Sequence, residues 1–207
     1  MIDVKGLCIE YDNKKVIDNL SFHVSGGECL VLFGPSGCGK TSILNAITNL
    51  IPYSGKIKLD GKASYAFQNP KIFKQSTIYD NLRLVCEDEN KIDNYLKEYD
   101  LQNFKMAKAQ NLSGGQKARV NIIRALLVND ILLLDEPFDS LDLLLKEKII
   151  SSLKMEIKKR RGTIFVTHSL DEALALGDNL IILNGKKSKE ICITENTDKD
   201  DIIKALR

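Results

Sequence analysis

Apolar and polar positions alternate in the first third of the chain. Val4 to Tyr11, Lys15 to Val24 and Glu28 to Phe33 are rich in β-branched and aromatic residues, and Asp12-Asn13 and Gly26-Gly27 interrupt them. These runs predict strands. Cys29-Leu-Val-Leu-Phe33 has no polar position, the pattern of a strand buried on both faces of a parallel sheet. The period then changes. Ile43, Leu44, Ile47 and Leu50 follow helical spacing, and Pro52 and Gly55 close that helix. Residues 56–68 predict two short strands joined as a hairpin at Asp60-Gly61. From about 76 to 111 the chain turns polar, acidic and tyrosine-rich, with helical spacing at 77–84 and 90–99, and predicts a small helical insert. Ser113 is a good N-cap for a helix over 113–127. Strand 131–135, helix 142–160, strand 163–167 and helix 169–176 then alternate. Strand Leu180–Leu183, a polar hairpin and a short helix at 198–206 follow. That alternation predicts a parallel sheet with helices on both faces.

Composition narrows the class. The chain has 207 residues, 43% hydrophobic and 28% charged, enough for one domain with a sizeable core. A net charge of +2 is too mild for the clustered basic surface of a nucleic-acid binder. The densest basic run, Lys158-Lys-Arg-Arg161, reads as the solvated last turn of a helix. Five cysteines without a C-x-x-C pair argue against a disulfide framework and against zinc, and for a reducing compartment. The N-terminus has no signal-peptide pattern, and no apolar run approaches membrane-spanning length. The expectation is a cytoplasmic chain that borrows any membrane-spanning part from a partner.

The chemistry begins where the third strand ends. Gly34-Pro-Ser-Gly-Cys-Gly-Lys-Thr41 has the form G-x-x-x-x-G-K-[ST] between a predicted strand and a predicted helix, the context a phosphate-cradling loop needs. Glycines let several N–H groups point inward, and the helix adds its positive end. Lys40 supplies a charge for outer phosphates, and Thr41 a hydroxyl for Mg²⁺. Asp135 ends the apolar strand Ile131-Leu-Leu-Leu134, where an acid can hold the water shell of Mg²⁺. Glu136 follows on the other side of the strand, where it can activate a water. Cys38, inside the loop, reads either as a reactive thiol whose alkylation blocks nucleotide or as a small space-filler.

A third motif, Leu112-Ser-Gly-Gly-Gln116, stands shortly before that acidic pair. With the phosphate loop, Asp135-Glu136 and Thr167-His168 in this order, the chain resembles the nucleotide-binding subunits of ABC transporters over essentially its full length. The resemblance implies a P-loop NTPase core, that is, an α/β fold with a parallel sheet flanked by helices. It adds an antiparallel β-subdomain and a small helical insert. One ABC ATPase domain would cover 1–207, with core and β-subdomain over about 1–75 and 112–207 and a helical subdomain over about 76–127. ATP with Mg²⁺ would lie on Gly34, Pro35, Ser36, Gly37, Cys38, Gly39, Lys40, Thr41 and Ser42. Tyr11 would sit under the adenine and Val16 on the same face; an edge-strand tyrosine is the plainer reading of Tyr11. Gln68, in Ala66-Phe-Gln-Asn69, matches the glutamine that senses the metal and the attacking water. Thr41, Gln68 and Asp135 would form the metal set, and Glu136, His168 and Lys40 the catalytic set.

In that family Leu112, Ser113, Gly114, Gly115 and Gln116 close over ATP held by a second subunit, and Ser140-Leu141-Asp142 crosses the dimer interface. The resemblance therefore implies a head-to-tail homodimer, or a heterodimer with a second ATPase subunit, peripheral on the inner face of the cell membrane. A transmembrane permease would be its partner, with a solute-binding protein if it imports, and no nucleic acid. Ile72 and Phe73 are either permease anchors or core residues. Lys117-Ala118 and Asn121 depart from the family's usual residues, but every group the chemistry needs is present. Phe67-Gln-Asn-Pro-Lys-Ile-Phe73 and Thr77-Ile-Tyr-Asp-Asn81 look like the small importers of nitrate or sulfonate type. The alternatives are an export or lipoprotein-release subunit, or a soluble ABC ATPase. The short stretch between Gln68 and Leu112 disfavours the coiled-coil repair ATPases, and a single motif set disfavours the translation factors.

Overall fold

The computed structural model describes residues 1–193 apart from 13, 129, 185 and 186, together with Ile202. Two sheets organise it. The first is antiparallel and three-stranded, built from β1 (Ile2–Tyr11), β2 (Lys14–Val24) and β4 (Ser54–Leu59) in the order β2-β1-β4. Ile2, Val4, Leu7 and Ile9 turn one face of β1 into the core, while Asp3, Lys5 and Glu10 stay outside it. The second sheet has six strands: β3 (Cys29–Phe33), β5 (Ala63–Ala66), β6 (Ile131–Asp135), β7 (Gly162–Thr167), β8 (Asn179–Asn184) and β9 (Lys187–Cys192). Their order is β5-β6-β7-β3-β8-β9. All pair in parallel except β9, which is antiparallel to β8.

The hairpin expected over 56–68 does not form. β4 pairs with β1 and β5 with β6, so Asp60-Gly61 carries the chain from one sheet to the other. The turn signal was genuine, with Gly61 at φ +126°, but long-range pairing chose the partners of both strands. The helix expected at 198–206 lies almost wholly outside the described residues.

Layering follows from the alternation along the central strands. Leu132 and Leu134 of β6 face one core and Ile131 and Leu133 the other. The second core is shared with β1, β2 and helix α1 (Lys40–Ile47). The first is shared with α2 (Ile78–Arg83), α3 (Glu89–Glu98), α4 (Gly114–Leu126), α5 (Leu143–Ile157) and α6 (Leu170–Leu176). Helix starts follow their side chains: Thr77, Asp88, Ser113, Asp142 and Ser169 each accept a backbone N–H of the turn they open. In the basic run at 158–161, Lys158, Lys159 and Arg161 are exposed as expected of a solvated turn, and Arg160 departs from it. Arg160 is buried; its Nη2 donates to Leu126 O at 2.9 Å and pairs with Glu156 at 2.7 Å, and its Nη1 donates to Val128 O. A guanidinium there satisfies carbonyls at the C-terminal end of α4 that have no helical partner.

Candidate functional site

Parallel register brings the site together. Phe33 stands opposite Thr167 and Asp135 opposite Val166, while Ala66 pairs with Leu134. The segments that leave the C-terminal ends of β3, β5, β6 and β7 therefore share one edge of the sheet. They carry Gly34, Gln68, Glu136 and His168. β3 sits between β7 and β8, where the strand order reverses, and such an edge is where open α/β sheets bind ligands.

The loop after β3 is shaped by its glycines. Gly39 has φ +103°, and a Cβ there would stand 2.8 Å from Val16 Cγ1. Gly34 approaches β8 so closely that a Cβ would lie 2.3 Å from Leu183 O. Gly39 caps α1 without a side-chain hydrogen bond, which leaves the first amides of that helix to an anion. Lys40 is 5% exposed; its Nζ donates to Gly34 O at 2.8 Å and Pro35 O at 3.0 Å and stands 3.7 Å from Glu136 Oε1.

A cleft of about 370 Å³ opens over this loop, lined by Tyr11, Val16, Ser36, Gly37, Gly39, Lys40, Thr41, Ser42, Gln68 and Glu136. Most of the residues expected to hold nucleotide line it. Tyr11 is half-exposed and its hydroxyl reaches Ser42 Oγ at 3.3 Å. Gly34, Pro35 and Cys38 do not line it. Gly34 is buried against β8, and the Cys38 side chain turns into the core shared with Ile17 and Ile43. Thiol chemistry at the phosphates, as entertained from its position in the loop, has no geometric support.

Two acidic groups occupy different environments. Asp135 is 1% exposed, and burial pushes its carboxyl up against the pull of Thr41, Tyr65 and Lys40. Tyr65 donates to its Oδ2 at 3.1 Å, while Oδ1 has no hydrogen-bond partner among the described residues. A buried carboxylate oxygen left unpaired beside the Thr41 hydroxyl is a good fit to a divalent cation or its water. Glu136 leaves the strand at φ +45°, a conformation a glutamate seldom adopts. That turn aims it at three groups. Gln68 Nε2 donates to its Oε2 at 3.1 Å, His168 Nδ1 lies 3.4 Å from the same oxygen, and Lys40 faces Oε1.

Asp139 joins this cluster. One ligand-type atom each from Glu136, Asp139 and His168 fall within 4.8 Å of one another. Partial desolvation, then the hydrogen bond and charge of Glu136, push the Asp139 carboxyl up, while His168 and Gln68 oppose that. The sequence reading missed Asp139, Tyr65 and Asn45, whose Oδ1 accepts from the Tyr65 hydroxyl at 3.4 Å. Asp139 could have been found from its place three residues after Glu136. Nothing in the sequence marked the other two.

The Leu112–Gln116 segment lies elsewhere. Ser113 opens α4 with a reciprocal cap: its Oγ accepts from Gln116 N at 3.2 Å, and its N donates to Gln116 Oε1 at 2.8 Å. None of these five residues lines the cleft over Lys40. Gly114 and Gly115 adjoin Ser140 and Leu141 instead, and a Cβ on Gly115 would stand 2.8 Å from Ser140 O. Ile72 packs against the core, whereas Phe73 is 60% exposed.

The family model described as ABC transporter matches residues 17–139, more than half of the chain. The chain belongs to the ABC transporter ATP-binding family. Its sequence is 33% identical over 214 residues to the spermidine/putrescine import ATP-binding protein PotA of Oleidesulfovibrio alaskensis, covering 92% of this chain and 57% of that protein. It is 33% identical over 203 residues to the taurine import ATP-binding protein TauB of Escherichia coli O157:H7, covering 89% of this chain and 80% of that protein. The chain thus spans little more than half the length of the PotA relatives it matches. Among ABC structures, the dimeric post-hydrolysis state of the ATP-binding cassette MJ0796 bound to ADP and Pi superposes with a TM-score of 0.83. The two share 26% identity, over 94% of this chain and 99% of that one. A structure of the ATP binding subunit of an ABC transporter gives a TM-score of 0.88 at 23% identity, over 99% and 98% of the two chains, and supports the fold. The α/β architecture expected of the family is therefore present. Among the described residues no helix is long and apolar enough to cross a membrane.

Proposed function

We propose that this chain hydrolyses ATP as the motor subunit of an ABC importer of a small solute, working in a head-to-tail dimer beneath a membrane permease. The observation that carries the reading is the convergence of Lys40, Gln68 and His168 on the Glu136 carboxylate at the edge of one cleft, with Oδ1 of the neighbouring Asp135 unpaired. ATP would bind with its phosphates on the loop amides, and Lys40 would exchange the Gly34 and Pro35 carbonyls for phosphate oxygens. Thr41, Asp135 and Gln68 would hold Mg²⁺, which when bound neutralises charge on the phosphate oxygens. Gln68 and His168 orient Glu136, which accepts a proton as water attacks the γ-phosphorus and the bond to the ADP oxygen breaks. His168 and Lys40 then face the charge growing on the transferred oxygens.

Ser113, Gly114 and Gly115 lie outside the cleft of their own chain, and this supports a composite site closed by a second subunit, with Ser140-Leu141-Asp142 at the crossing. A two-fold axis would give two such sites. Import is favoured because PotA and TauB are import proteins. On this reading the chain is one ABC ATPase domain with a helical subdomain over about 76–127, peripheral on the inner face of the membrane. Phe73, exposed beside that subdomain, is the better permease anchor; Ile72 belongs to the core.

Phosphate release by the purified chain with MgATP tests the reading. Saturable hydrolysis is expected, with Lys40→Ala at background and Glu136→Gln roughly a hundredfold or more below wild type. A wild-type chain without ATPase activity, or a Lys40→Ala variant as fast as wild type, would overturn it.

A further inference from the structure

Asn121 lies two turns into α4 and is 2% exposed, among Val120, Ile122 and Ile123. A carboxamide so placed costs free energy unless its polar atoms are satisfied. Its Nδ2 donates to the Phe67 carbonyl oxygen at 2.8 Å, and its Oδ1 lies 3.5 Å from Arg124 Nη2. The last ladder pair of β5 is Ala66 with Leu134, so the Phe67 carbonyl lies just beyond the sheet. Asn121 takes over there. The next residue is Gln68, which holds Glu136 Oε2. One side chain therefore joins the helix opened by Ser113 to the peptide that carries Gln68. Phe67, Gln68, Asn121, Glu136, Asp139 and Ser140 also wall a cavity of about 20 Å³, room for a single water.

We propose that Asn121 is a positioning residue for hydrolysis, fixing Gln68 against Glu136 according to where α4 stands. The inference rests on the ATPase reading. In a head-to-tail dimer the Ser113 end of α4 meets the ATP of the second subunit, so Asn121 reports that encounter to the cleft of its own chain. A hydrogen bond through a buried carboxamide suits this role because it is directional and cannot be replaced by water without rearrangement.

The test replaces Asn121 with leucine, which keeps most of the volume but has no donor. Asn121→Leu is expected to lower kcat about tenfold while KM for MgATP stays near wild type and the melting temperature falls by only a few degrees, as the Phe67 carbonyl loses its donor. In a Gln68→Ala background the same change should cost nothing further, because Asn121 acts through Gln68. Wild-type kcat in Asn121→Leu, a raised KM with unchanged kcat, or losses that multiply in the double variant would each overturn the proposal. So would failure of both Asn121→Leu and Asn121→Ala to fold while Gln68→Ala folds, since Asn121 would then be a packing residue. An inactive wild-type chain would remove the ATPase reading and this inference with it.

Discussion

Two side chains of the phosphate loop have opposite fates. Lys40 bends back to loop carbonyls and looks into the cleft, while Cys38, two residues earlier, is 8% exposed and packs into the core with Ile17 and Ile43. Steric packing decides this, not loop membership. Iodoacetamide is therefore expected to label Cys192, which is exposed, well before Cys38 or Cys29, with no protection of Cys38 specific to ATP. Peptide mass spectrometry of briefly treated native protein reads this directly. Rapid labelling of Cys38 that ATP abolishes would restore the thiol to the nucleotide site. Glu136 carries the other residue-scale lesson. Its left-handed backbone is tolerated because Lys40, Gln68 and His168 hold its carboxylate. Its spacing after an apolar strand was visible in the sequence, but the turn that aims it was not.

Elements were legible where local chemistry set them. Ser113 and Asp142 announced the starts of α4 and α5, and the unbroken apolar runs of β3 and β6 announced buried parallel strands. Errors came where partners were distant in sequence. Asp60-Gly61 looked like a hairpin turn, yet β1 and β6 claimed the strands on either side. Arg160 looked solvated because its run is basic, yet it closes the end of α4 from the turn after α5. Removing it leaves Leu126 O and Val128 O without that donor, while Glu156 keeps Lys159, whose Nζ lies 2.7 Å from its Oε1. Arg160→Ala is expected to cost about 2 kcal/mol of stability in a urea titration, as for leaving buried carbonyls without a donor. A loss below about 1 kcal/mol would mean that water takes over the two carbonyls.

On the scale of the whole molecule, the catalytic half of the site was readable before the fold because each motif sits at the end of a strand or the start of a helix. The parallel sheet needs only to set those ends side by side. Tyr65, Asn45 and Asn121 were not readable as parts of the site, since their partners come from other strands and helices through packing. The architecture also leaves Ser113–Gly115 out of the lining of the cleft of the same chain, with Gly114 and Gly115 beside Ser140. On the proposed reading the rest of the site comes from a second subunit, a second copy of this chain in the simplest case. The most direct measurement is the mass in solution of Glu136→Gln, by light scattering with and without MgATP, beside the double variant Glu136→Gln/Ser113→Glu. The account predicts an ATP-dependent doubling of mass for the first, lost when a carboxylate at position 113 repels the second subunit's phosphate. A chain that stays monomeric at saturating MgATP, or one whose dimer ignores Ser113→Glu, would contradict it.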